Sequence, residues 1–277
     1  MQRKSRGRSR RFYEIIVAMR FACSIFFSLL ASGALSQSIG GPRTFPQFRD
    51  MAGLSGNGFP VLRDGKIGIN GAMSLSTPIA YVLETKRVVL GLCSRSTDKT
   101  FRWFNTTSAN VQRSDGTLQG MFSLDSLGSR IAITHMIVSG SGDSVQHLQY
   151  QLPISAEQTG NWTFSVGCHN ITDRPAANGD DNPVEDSKLS RSFFIVGTKE
   201  CSKDSYFTLG LGATRWKGFF GSYTLPLNDR WRAYGEYDTF NWNVGAATEI
   251  RVLGKQAFVQ AGLVRGNLAT WSVNWVF

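Results

Sequence analysis

The chain is poor in the residues that build disulfide frameworks, metal centres and membrane helices. It holds four cysteines, and Cys23 falls in an N-terminal stretch that reads as a removable leader. Cys93, Cys168 and Cys201 remain. Three thiols cannot all pair with one another, and no CxxC or His/Cys ligand spacing occurs, so neither a disulfide scaffold nor a metal site is expected. After residue 36 no window of eighteen apolar residues exists, which excludes a transmembrane helix. Charged residues make up only 18% of the chain, with Lys and Glu sparse, whereas there are 29 Gly and 12% aromatics. That balance suits a β-rich protein better than a helical one. "GLGATRWKG" lacks both the dinucleotide and the P-loop pattern, so no nucleotide cofactor is expected, and its glycines read as a strand running into a loop with Arg215 and Lys217.

Three segments follow. Residues 1–36 have a basic head, an apolar run from Phe21 to Leu35 and the small-x-small sequence Ala34-Leu35-Ser36, the layout of a secretory signal peptide. Met19 is a second candidate start, since Met19-Arg20 would open a compact leader. Removing this segment takes six charges from the formal +10 and leaves about +4, so the basic excess belongs mostly to the leader and nucleic acid is not an expected partner. Residues 37–65, with Pro42, Pro46 and Pro60, read as an irregular N-terminal lead segment or plug. Residues 66–277 carry period-two alternation.

The alternation is cleanest near the C-terminus. Phe240, Trp242, Val244 and Ala246 interleave with Asn241, Asn243 and Gly245, and Trp231, Ala233, Gly235 and Tyr237 with Arg232, Tyr234, Glu236 and Asp238. Further strands are expected near 67–76, 87–95, 117–124, 130–138, 145–152, 161–169, 191–198 and 206–211. Together with the last five this counts about thirteen, and closure of a bacterial barrel favours an even number. Turns at 226–230 and 252–255 are tight, whereas 96–116 and 171–190 are long and polar. This asymmetry points to an all-β fold, an antiparallel transmembrane β-barrel of about 12 strands (12–14); a secreted β-sandwich would also alternate.

If the apolar face meets lipid, the lumen is lined by Arg232, Glu236, Asp238, Glu249, Arg251, Gln256 and Gln260, and on another strand by His147 and Gln149. Charges on such a wall either tune which solutes pass or pair internally to seal a small barrel, and both readings stay open. The residues after each His exclude a His-x-Ser phospholipase motif. Asp180, Asp181, Glu185 and Asp186 cluster in one loop but miss the calcium-loop spacing, so they read as solvated. No nucleophile and base fall together, and an enzyme is not expected.

The chain ends "WSVNWVF". Trp271, Val273, Trp275 and Phe277, with Ala269, resemble the C-terminal signature of bacterial outer-membrane β-barrel proteins, which finish on Phe with apolar residues at alternate positions. The resemblance covers nine residues. It implies a bacterial outer-membrane location, lipid against this face and recognition of the strand by the barrel-assembly machinery. Between Gly210 and Phe277 there is a looser likeness to barrels encoded with polysaccharide-export systems. The expected function is a passive porin-like channel for small polar or ionic solutes; the alternative is a sealed barrel acting as an envelope scaffold or an accessory to polysaccharide export.

Overall fold

The alternating segments form the wall of a closed barrel in the computed structural model, which describes residues 59–95, 116–137, 144–155, 157–172, 191–202, 204–214, 216, 218–239, 242–264 and 268–277. Contacts divide the chain into two units, Met1–Ser38 and Ile39–Phe277, and every described residue lies in the second. Twelve strands make the wall: β1 (Val88–Arg95), β2 (Gly116–Ser126), β3 (Ser129–Ile137), β4 (Ser144–Gln151), β5 (Trp162–His169), β6 (Ser192–Ser202), β7 (Ser205–Gly212), β8 (Gly218–Pro226), β9 (Trp231–Tyr237), β10 (Trp242–Val252), β11 (Lys255–Val264) and β12 (Leu268–Val276). Each pairs antiparallel with its neighbours in sequence, and β1 closes on β12. Mutual bonds between Val88 and Phe277 (N–H to O, 3.1 and 2.8 Å) extend the seam to the last residue. Closure removes the edges that an open sheet would leave unpaired in hydrocarbon.

Side-chain direction follows the pleat. Leu90, Phe122, Leu209, Val244 and Leu263 point outward and are exposed, as an apolar belt for lipid requires. Trp162, Phe207, Tyr223 and Trp231 stand near one rim of this belt, and Phe219, Tyr237 and Trp242 near the other. Amphipathic rings at both rims match the girdles of membrane barrels. The tight turns at 127–128, 227–230 and 253–254 share the rim of Val88 and Phe277. The connections 96–115 and 173–190 leave from the opposite rim and lie outside the described residues, as do Asp180, Asp181, Glu185, Asp186, Arg215 and Lys217. Trp271, Val273, Trp275 and Phe277 all face outward on β12 and its end.

One expected strand is not in the wall. Residues 67–76 alternate, yet they run inside the barrel, and the wall begins at Val88. The count of thirteen was therefore one too many rather than one too few, and residues 66–87 of the expected barrel segment lie within it or lead into it. The physical reason is size. Eight strands enclose a space that wall side chains fill, whereas twelve leave a wider lumen with room for water or for an inserted segment.

Candidate functional site: the occupied lumen

Residues 59–84 fill the lumen. Phe59, Val61, Ala72, Ile79, Tyr81, Val82 and Leu83 are buried and pack on Val89, Met121, Ala132, Tyr206, Phe258 and Val276 of the wall. This apolar contact lies toward the short-turn rim. Between Gly65 and Glu84 the chain makes a loop whose base is closed by Glu84 N–H donating to Gly65 O (2.8 Å). Gly65 has φ +89°, and a side chain there would overlap the Arg130 guanidinium, which donates to the carbonyls of Asp64 (2.6 Å) and Arg63 (3.2 Å). Arg130 thus ties the base to β3.

The loop climbs from this base by exchanging backbone bonds for side-chain bonds with the wall. Arg232 Nε donates to Ile69 O (2.5 Å), and its two terminal nitrogens donate to Asp204 O. Thr224 donates to Met73 O (2.6 Å) and Gln260 to Ser74 O (3.1 Å). On the way down, Gln149 donates to Ile79 O (2.6 Å), Ser165 to Ala80 O (2.5 Å), Ala80 N–H to Thr198 Oγ1 (2.9 Å) and Val82 N–H to Gln151 Oε1 (3.0 Å). The loop has no regular ladder of its own, so the inward polar face of the wall supplies its missing partners.

At the apex a single carboxylate gathers the donors. Glu236 Oε2 accepts from the N–H groups of Leu75 (2.9 Å), Ser76 (2.9 Å) and Thr77 (3.1 Å) and from Thr77 Oγ1 (3.1 Å). Its Oε1 accepts from Ser76 Oγ (2.8 Å) and Asn243 Nδ2 (2.9 Å). Successive N–H groups aimed at one point form an anion-binding nest. Here the anion is a wall side chain, fully buried. Leu75 seats its methyls over Gly262, where a Cβ would stand 2.6 Å from Leu75 Cδ1.

The expected lumen residues are thus placed as follows. Arg232, Glu236, Asp238, Gln260, His147 and Gln149 face inward and are buried against the loop or one another. His147 Nδ1 accepts from Asn170 N–H (3.0 Å), and its ring lies 4.5 Å from that of His169. Asn243 Nδ2 also donates to Asp238 (3.3 Å). Glu249, Arg251 and Gln256 share the inward parity but sit near the short-turn rim; Arg251 is exposed, and Gln256 reaches Ile67 O at 3.5 Å. Glu236 and Arg232 do not pair with each other: each serves loop or turn backbone. The sequence offered two roles for these charges, and the structure adds a third, holding an inserted segment. Thr198, Ser165 and Thr224 were not singled out in sequence, since lone hydroxyls on a strand carry no motif.

At the short-turn rim, Arg63 pairs with Glu200 (2.6 Å) and Lys66 with Asp64 (2.8 Å). Burial pushes the Asp64 carboxyl up, but the bonds from Lys66 and the charges of Lys66 and Arg130 outweigh it and hold it below its ordinary value. Among the described residues, no group of three His, Cys, Asp or Glu could hold a metal ion.

A closed antiparallel barrel of twelve strands with an apolar outer belt and a polar inner face is the architecture of a transmembrane β-barrel. No family model matches the chain, and no curated protein does. Among solved structures it is similar to one described as "KdgM porin in complex with disordered oligogalacturonate", with 6% identity and a TM-score of 0.40, over 69% of this chain and 98% of that one.

Proposed function

We propose that the protein is an outer-membrane channel of the porin-like kind whose lumen is held closed by its own residues 59–84, so that small polar or ionic solutes pass only when this segment is displaced. The observation that carries the reading is the polar ladder from Arg232 to Glu236. The wall offers a hydrophilic interior suited to water, and the loop occupies it through side-chain bonds rather than as a thirteenth strand. Export by the N-terminal signal, insertion into the outer membrane and recognition of Trp271 to Phe277 by the assembly machinery belong to the same proposal, and no catalytic role is part of it.

Burial and bonding both favour the seated loop. Full withdrawal would expose Phe59, Val61, Ile79, Tyr81, Val82 and Leu83, at about 1.5–3 kcal/mol of transfer each, and would strip the loop of its side-chain bonds to the wall. The refolded full chain is therefore expected to be silent in a planar bilayer. A variant with residues 59–83 replaced by an equal length of Gly and Ser should show stepwise openings. Silence from that variant, with heat-modifiable migration proving a folded barrel, would overturn the channel and favour the second reading. That reading is a sealed envelope scaffold or an accessory to polysaccharide export, and the dense bonding of the loop apex to β8, β9 and β11 favours it.

A further inference from the structure

The lumen has an uneven distribution of charge, and this bears on which solutes the proposed channel admits. Near the short-turn rim, inward positions carry both signs: Arg130 and Arg232 stand with Glu200, Glu249 and Arg251. Toward the long-loop rim the wall changes character. Around the loop apex the inward side chains include Ser222, Asn243, Gln260 and Ser272, all uncharged. Among the described side chains, the charged ones at this height are Glu236 and, one residue past the end of β9, Asp238. Arg232 is four residues back along β9, about 13 Å at the rise of a strand, which exceeds the screening length of about 8 Å in physiological salt.

We infer that Glu236 is the selectivity-determining residue of the opened lumen, and that the solutes favoured are cations or cationic organic molecules rather than anions. This rests on the channel reading above. In the closed state the nest of 75–77 satisfies the carboxylate with backbone dipoles and hydroxyls. No lysine or arginine takes part in those bonds. Displacing the loop removes the five donors it supplies and leaves Asn243, a neutral amide, beside the carboxylate. The carboxylate that latched the loop then faces the water path in a section of the wall where Ser222, Asn243, Gln260 and Ser272 are uncharged. A fixed negative charge in such a section raises the local concentration of cations and lowers that of anions. An acidic oligosaccharide would meet repulsion at this height, whereas an amine or a metal cation would meet attraction. One residue thus couples closure to selectivity: its charge both holds the loop and, once the loop has moved, selects the solute.

The test is the reversal potential across a potassium chloride gradient, measured on the chain with residues 59–83 replaced by Gly and Ser. Potassium should be preferred over chloride. Glu236→Gln in that background should lower the preference at least about threefold, Glu236→Lys should invert it, and Arg232→Gln should move it less than Glu236→Gln. Folding is read in each case by heat-modifiable migration, and the carboxylate is no longer buried in this background, so the substitutions do not burden the fold. Chloride preference, or a preference that Glu236→Gln and Glu236→Lys leave unchanged, would overturn the inference while leaving the channel intact. Silence from a folded barrel would remove the channel and the inference together.

Discussion

Replacing Glu236 with Ala tests whether one carboxylate holds the loop apex in the lumen. The change removes the acceptor used by three consecutive backbone N–H groups, 75–77, all in residues with no exposed surface. A buried donor left without an acceptor costs about 1–3 kcal/mol. Water entering the vacated space offsets part of this, so the apex is expected to weaken by roughly 3–6 kcal/mol, a rise of about two to four orders of magnitude in its unlatched population. The reporter is Ala80→Cys, a fully buried position on the descending arm, in a background with Cys93, Cys168 and Cys201 changed to Ser. When reclosing is fast, the rate of maleimide labelling follows the open population. Glu236→Ala should speed labelling at least about a hundredfold, and Glu236→Gln, which keeps one acceptor oxygen, by less. An acceleration below about threefold in a barrel that still migrates as folded would refute the latch, and the loop would then be held by its apolar base alone.

Four further outcomes follow from the geometry. Gly210 faces Phe220 across β7 and β8, and a Cβ there would run into the ring, so Gly210→Ala should lower barrel stability by about 1–3 kcal/mol in the temperature at which gel migration changes, with partial recovery on adding Phe220→Ala. Glu200→Gln should cost less than about 1 kcal/mol by the same assay, because the Arg63–Glu200 pair is about one-third exposed on each side. Deleting Phe277 removes both closing bonds to Val88 and the ring beneath Lys255, and should reduce the folded fraction recovered in the outer membrane; unchanged recovery would show that the seam β1–β12 suffices. The Asp64 carboxyl is held below its ordinary value, so its contribution is present above the unfolded pKa of about 3.9 and is lost as pH falls through the folded one. The stability difference between the native chain and Asp64→Asn should therefore be equal at pH 7 and pH 5 and shrink below about pH 4.

The wall was legible in the sequence because a strand with one face to lipid and one to water writes its geometry in period two. In Trp242 to Thr248 and Trp231 to Asp238 the period-two pattern divides the residues into an outward and an inward set, and Arg232, Glu236 and Asp238 are buried on the inward side. The same rule misread residues 67–76. An extended chain that touches partners on alternate sides alternates too, whether those partners are lipid and water or two parts of one lumen. Nothing in "MSLSTPIAY" says that its N–H groups bond to side chains rather than to a neighbouring strand.

The sequence by itself determined the all-β class, the strand count to within one and the two faces of each strand, because these depend on the local pleat and on the solvent each face meets. The tertiary structure alone decided that the lumen is occupied and that Glu236 spends its charge on the backbone of 75–77. That pairing joins residues about 160 apart, through bonds that a twelve-stranded closure makes available and that no local pattern encodes.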